Sequence, residues 1–120
     1  MDAISDVGAL HTRLVPGFVT NTTMNGDARV VTFANGLTVR EPIVTVDGRE
    51  RRLAWSSEGG ITTHYNASVQ AMAEGERTRV VWIADFLPDT AKARIAAAMD
   101  AGIAAMQKAL DGLATGEKPF

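Results

Sequence analysis

The segment from Pro88 to Leu113 constrains the fold more than any other part of the chain. Its large apolar residues, Ile95, Met99, Ile103, Met106, Leu110 and Leu113, recur at spacings of three and four, which form one stripe along a helical period. Asp89, Lys92, Asp100, Gln107 and Asp111 fall mostly on the opposite side. Pro88 suits the first helical position, where its missing N–H is not needed, and Asp89 favours the positive end of the helix dipole. A helix over the whole segment is about 39 Å long at the usual rise per residue. No other segment is helical at that length, so the stripe has to be buried against the chain that precedes it. Ala97, Ala98, Ala101, Gly102, Ala105 and Ala109 run beside the large residues, which makes the helix surface apolar but shallow. Such a face either packs closely on a sheet or leaves room for a guest. A glycine inside a helix costs about 1 kcal/mol relative to alanine, so Gly102 points to a close approach there.

The preceding chain is punctuated by turn residues. Residues 2–14 read as short helical pieces, with Ile4, Val7, Leu10 and Leu14 at helical spacing, closed by Val15-Pro16-Gly17. Six strand candidates follow, at 18–24, 28–33, 37–46, 51–57, 62–73 and 79–86. The turn signals between them are Asn25-Gly26, Asn35-Gly36, Asp47-Gly48, Gly59-Gly60 and Glu74-Gly75-Glu76. Pro42 cannot donate to a ladder, which predicts a bulge or an unpaired position in the third strand. Strands joined by turns this short are antiparallel neighbours. The fold class expected is therefore α+β: a curved antiparallel meander of six strands, short N-terminal helices, and a long C-terminal helix across the concave face, a helix-grip arrangement.

Composition narrows the function classes. A chain of 120 residues fits a single domain over 1–120, and a net charge of −2 gives no electrostatic reason to expect nucleic acid. With no cysteine, disulfides, thiolate chemistry and Cys-rich zinc sites are excluded. His11 and His64 stand without a third ligand at a suggestive spacing, so no metal and no cofactor is expected. Ser56, Ser57 and Ser68 have no His and acid at diagnostic positions, and no glycine run follows a strand and opens a helix as a phosphate-binding loop does. No apolar run approaches the roughly 20 residues of a membrane span, and Met1-Asp2-Ala3 does not open a signal peptide, so a soluble cytoplasmic protein is expected.

In order and motifs the chain resembles the SRPBCC superfamily of START-like helix-grip proteins, and within it the bacterial polyketide cyclase/dehydrase-like group. The residues that carry the likeness are Asp6 to Leu10 with Pro16-Gly17, Val39-Arg40-Glu41, the Asp47 to Trp55 hairpin with Arg52-Leu53, and Gly59-Gly60. Tyr65 with Ala67-Ser68, Val81-Trp82, and Phe86-Leu87-Pro88 leading into the helix complete it. The cone-shaped fold of nuclear transport factor 2 is the rival architecture, but it usually places its long helices before most of the sheet. The resemblance implies a cavity between helix and concave sheet, and a small hydrophobic or amphipathic ligand, a lipid, polyketide or aromatic metabolite, inside it. Members of the superfamily usually begin with a strand that closes the sheet. This chain starts at the short helices, so the strands at 18–24 and 79–86 are expected to be open edges. A homodimer that covers them is one expectation, and a start site placed too late is the other.

Glu41 shares its strand parity with Leu37, Val39 and Ile43, which puts a carboxylate in an apolar pocket if those residues face inward. Its pKa is then raised by desolvation, and it serves as proton donor, base or polar anchor; the alternative is a structural Glu paired with Arg29, Arg40 or Arg52. Tyr65 shares a face with Thr63, Ala67 and Val69, and Trp82 with Val80, Ala84 and Phe86. The ligand-binding set expected is Val39, Glu41, Trp55, Tyr65, Ala67, Trp82, Met99, Gly102, Ile103 and Met106, with Glu41 and Tyr65 as the catalytic candidates. Asp85 is expected to cap the final helix. Three functions follow: carriage of an apolar ligand; a polyketide cyclase or aromatase that uses Glu41 and Tyr65 in proton transfer; or a non-catalytic interaction subunit with a filled core.

Overall fold

The six strands are neighbours in the sheet in the order in which they occur in the chain. β1 (Val19–Asn25), β2 (Ala28–Phe33), β3 (Thr38–Asp47), β4 (Arg52–Ser56), β5 (His64–Glu74) and β6 (Arg77–Leu87) form one antiparallel sheet. The structure, a computed structural model, describes residues 2–114, without the side chains of Asp2, Ser5, His11, Leu113 and Ala114. Before the sheet come a short helix α1 (Asp2–Ser5) and two helical turns, Val7–Ala9 and Leu10–Leu14. After it comes α2 (Lys92–Ala114), 23 residues long.

Local chemistry sets the hairpins. β1 and β2 pair from Val19↔Phe33 to Asn25↔Ala28, leaving Gly26-Asp27 as a two-residue turn with Gly26 at φ 63, a conformation that side chains disfavour. β5 and β6 make the longest hairpin, His64↔Leu87 to Glu74↔Arg77, turned in the same way at Gly75. Pro42 stays in register opposite Ala28 on β2. The disturbance predicted at this proline falls on its other side, where the β3–β4 ladder is open between the Arg40–Glu58 bridge and the Ile43–Trp55 pair and then bulges before Thr45.

Period-two alternation decides the faces. Val31, Val39, Leu53, Trp55, Ala67, Val69 and Ala71 are buried on the concave side and form one core with Ile4, Leu14, Val15 and Met106. Val44, Val46, Met72, Ile83 and Leu87 are exposed. Among the described residues β1 and β6 each have a single neighbour in the sheet, so both edges predicted to be open are open there.

The helix begins later than its sequence suggests. Pro88 has extended backbone, Asp89–Ala91 makes one short turn, and α2 starts at Lys92. No side chain caps this start and Asp85 is exposed, so Asp85 does not take the capping role. The buried face of the helix follows the predicted stripe with one exception. Met106 is buried and Ile95, Met99 and Leu110 are half-buried, beside the buried Gly102 and Ala109, whereas Ile103 is 37 % exposed. Leu113, the last residue of the predicted stripe, and His11 lie outside the described side chains.

The candidate functional site, a cavity beneath the helix

The shallow helix surface does not close down on the sheet. Between them lies a cavity of about 570 Å³. Its floor is the concave face, with Arg29 from β2, Val39 and Glu41 from β3, Leu53 and Trp55 from β4, Tyr65 and Val69 from β5, and Trp82 from β6. Leu10, Leu14, Val15 and Phe18 wall one side, and Ile95, Ala98, Met99 and Met106 form the roof. Exposed lining residues gather at Asn35 and Leu37 in the β2–β3 connection, at Gly59-Gly60, and at Arg94, Ala97 and Ala98, which marks the mouth. The interior is not filled by its own side chains, as the interaction-subunit expectation requires.

Of the residues expected to bind ligand, Val39, Glu41, Trp55, Tyr65, Trp82, Met99 and Met106 line this cavity together. Ala67, Gly102 and Ile103 do not. Ala67 is a core methyl in register between Trp55 and Ala84. Gly102 is in contact with the wall itself: a Cβ there would stand 2.8 Å from Trp82 Cζ3 and 3.1 Å from Phe18 Cε2. Ile103 points away because the turn of the helix that brings Gly102 down onto Trp82 carries its neighbour outward. The sequence offers Arg29 only as one of three alternative partners of Glu41, with Arg40 and Arg52, and not as a wall residue. The signal was present, because Arg29 has the strand parity of the fully buried Val31.

Glu41 realises both of its readings. It is 6 % exposed, within the cavity wall, and its Oε1 accepts a hydrogen bond from Arg29 Nε at 2.8 Å; Arg29 is 2 % exposed. The Arg29 guanidinium stands 5.0 Å from the centre of the Trp55 ring. Burial pushes the Glu41 carboxyl above its ordinary value, and Arg29 offsets part of that push. The Trp55 indole N–H also favours the charged carboxylate, without reaching hydrogen-bond geometry. Tyr65 stacks on Phe86 at 6.5 Å, and burial together with the nearby Glu41 charge pushes its phenol up to about 12. The site thus sets an acid, a phenol and a guanidinium in an apolar chamber. Among the described residues no cluster of metal-ligating side chains occurs, and no helix is long and apolar enough to cross a membrane.

A curved six-stranded antiparallel sheet gripping a C-terminal helix over an apolar cavity defines the helix-grip class. Within it, the chain belongs to the family described as "Polyketide cyclase / dehydrase and lipid transport", which matches residues 1–116. Among solved structures the chain is similar to the protein XoxI from Bacillus cereus, with a TM-score of 0.80 and 20% identity over 93% of this chain and 85% of that one. It is similar also to an uncharacterized protein from Bacillus thuringiensis, with a TM-score of 0.77 and 21% identity over 90% of this chain and 85% of that one. At these identities the likeness speaks for the fold alone. No curated protein matches the sequence.

Proposed function

We propose that this is a cytoplasmic binding or transport protein for a small hydrophobic or amphipathic molecule, a lipid, polyketide or aromatic metabolite, held between α2 and the concave sheet. The observation that carries the reading is the cavity of about 570 Å³ with predominantly apolar walls and a few convergent polar groups, the usual form of a small-molecule site. The family's description, which includes lipid transport, supports it. The test is binding of the neutral apolar dye Nile red, with native mass spectrometry of the protein as expressed. Saturable dye binding that is lost in Ala98→Trp, which obstructs the chamber at its mouth, is expected. A folded protein that takes up neither dye nor any apolar molecule would refute it.

A second reading, cyclase or aromatase chemistry on a poly-keto chain, is favoured by one observation. Glu41, with its raised pKa, lies near Tyr65 inside the apolar chamber, as proton transfer during aldol closure and loss of water requires. Its mark is a Glu41→Gln protein that still binds but no longer turns substrate over. We also infer a homodimer through the open edges β1 and β6, supported by the single neighbour of each and by the apolar run Val80 to Ala84. A monomeric mass by light scattering at high concentration would count against it.

A further inference from the structure

At the buried end of the cavity, hydrogen-bond donors outnumber acceptors. Arg29 commits Nε to Glu41 Oε1, yet its Nη1 meets no acceptor among the described residues, and neither does Nε1 of Trp82; Nε1 of Trp55 favours the Glu41 carboxylate but is within hydrogen-bond geometry of no acceptor. All three residues belong to the cavity wall. Guanidinium and indole N–H groups only donate. Glu41 is the one carboxylate among the lining residues, and one of its oxygens is already engaged by Arg29.

A buried donor without an acceptor is costly, and a guest that supplies the acceptor relieves that cost. These N–H groups lie flush in the wall, so an oxygen pressed against it satisfies them after a small shift of the side chains, whereas an apolar or donor-only end does not. An ammonium brings only donors. A hydroxyl brings acceptor lone pairs together with a further donor. A carbonyl or carboxylate oxygen brings lone pairs alone, and its planar geometry suits the guanidinium fork.

Resting on the ligand-binding reading above, we infer that the guest's buried end is an acceptor-only oxygen group, a ketone carbonyl or a carboxylate, received by Arg29 Nη1 and Trp55 Nε1 with Trp82 Nε1 beside them. The apolar remainder runs toward the mouth between Gly59-Gly60 and Arg94. Fatty acids and poly-keto chains both present this chemistry.

The experiment displaces Nile red with four probes of equal chain length: dodecanoate, methyl decyl ketone, dodecanol and dodecylamine. At least one of the two acceptor-only probes is expected to bind roughly ten-fold or more tightly than the alcohol and the amine. The ketone leading points to poly-keto guests, and dodecanoate leading to free acids. The preference is expected to shrink in Trp55→Phe and to vanish in the double variant Arg29→Met with Glu41→Leu. That double variant replaces both partners of the buried pair by apolar groups and so leaves no stranded charge. If dodecanol or dodecylamine matches the better acceptor-only probe, or if the preference survives in the double variant, the head-group inference falls while the cavity reading stands. If the dye itself fails to bind, both fall.

Discussion

Tyr65 is the only tyrosine in the chain, so the absorbance of tyrosinate during an alkaline titration reports on one cavity residue without interference. Burial, reinforced by the Glu41 charge, holds its phenol neutral until about 12, against an ordinary 10.0. A shift of about two units corresponds to roughly 3 kcal/mol of preference for the neutral form, an upper bound because the ring is only half-buried and solvent screens part of it. In the unfolded chain the phenol ionises at its ordinary value. Between 10.0 and about 12 the unfolded state has therefore lost a proton that the native state keeps, and stability falls as pH rises through that window. Rapid pH jumps, read before unfolding, should give a native midpoint near 12, and urea unfolding should show Tyr65→Phe losing less stability over the same window. Glu41→Gln should lower the midpoint only part of the way, since burial is the larger cause and remains. A wild-type midpoint at the ordinary value would mean that Tyr65 faces water, and the argument for a shared Glu41 and Tyr65 chamber would fail.

Three further outcomes follow from the same geometry. Gly102→Ala gains about 1 kcal/mol of helix propensity but sets a Cβ 2.8 Å from the Trp82 ring, an overpacking worth about 1–3 kcal/mol, so urea unfolding should show net destabilisation. A stabilised variant would mean that the ring yields freely. Arg29→Ala or Glu41→Ala strands a buried charge and should cost about 3–5 kcal/mol, whereas Arg29→Met with Glu41→Leu should be near neutral; equal losses in singles and double would contradict the pair. Glu41, with its pKa raised above 4.5, contributes no penalty below that value. Stability lost as pH climbs through the folded pKa should be smaller in the Arg29→Met, Glu41→Leu protein, and a parallel pH profile would refute the shift.

The sheet was legible in the sequence because turn chemistry is local. Glycines at Gly26 and Gly75 can adopt a positive φ that other residues avoid, and the alternation of Leu37, Val39, Glu41 and Ile43 told which side of β3 faces inward. Parity set Glu41 with the inward-facing residues of β3, while the chamber itself was implied only by the family resemblance. The helix stripe was legible in the same way except at one turn. Hydrophobic size marks Ile103 as a contact position, yet the contact is made by Gly102, because what selects the residue there is the volume of Trp82 across the gap, a property of β6 and not of the helix. The start of α2 differs for a related reason: the sequence suits Pro88 to the first helical position, but its extended backbone carries the chain off the end of β6 before the helix begins.

The glycine that costs the helix stability also fixes the height of the chamber. The chain is buried at Ala91 just before α2 begins, and α2 is buried at Gly102, Met106 and Ala109 further along. A helix is stiff over this length, so two low points set the path of the residues between them. Those residues, Arg94, Ile95, Ala97, Ala98 and Met99, form the roof and mouth. Longer side chains at Ala97 and Ala98 would narrow the mouth and a Cβ at Gly102 would press on the Trp82 ring, so the volume beneath depends on where alanine and glycine stand. The Met, Ile and Ala composition of α2 is then the condition for a helix that rests on the sheet at its anchors and stands clear of it between them, and the buried Arg29–Glu41 pair lies on the floor of the space so created.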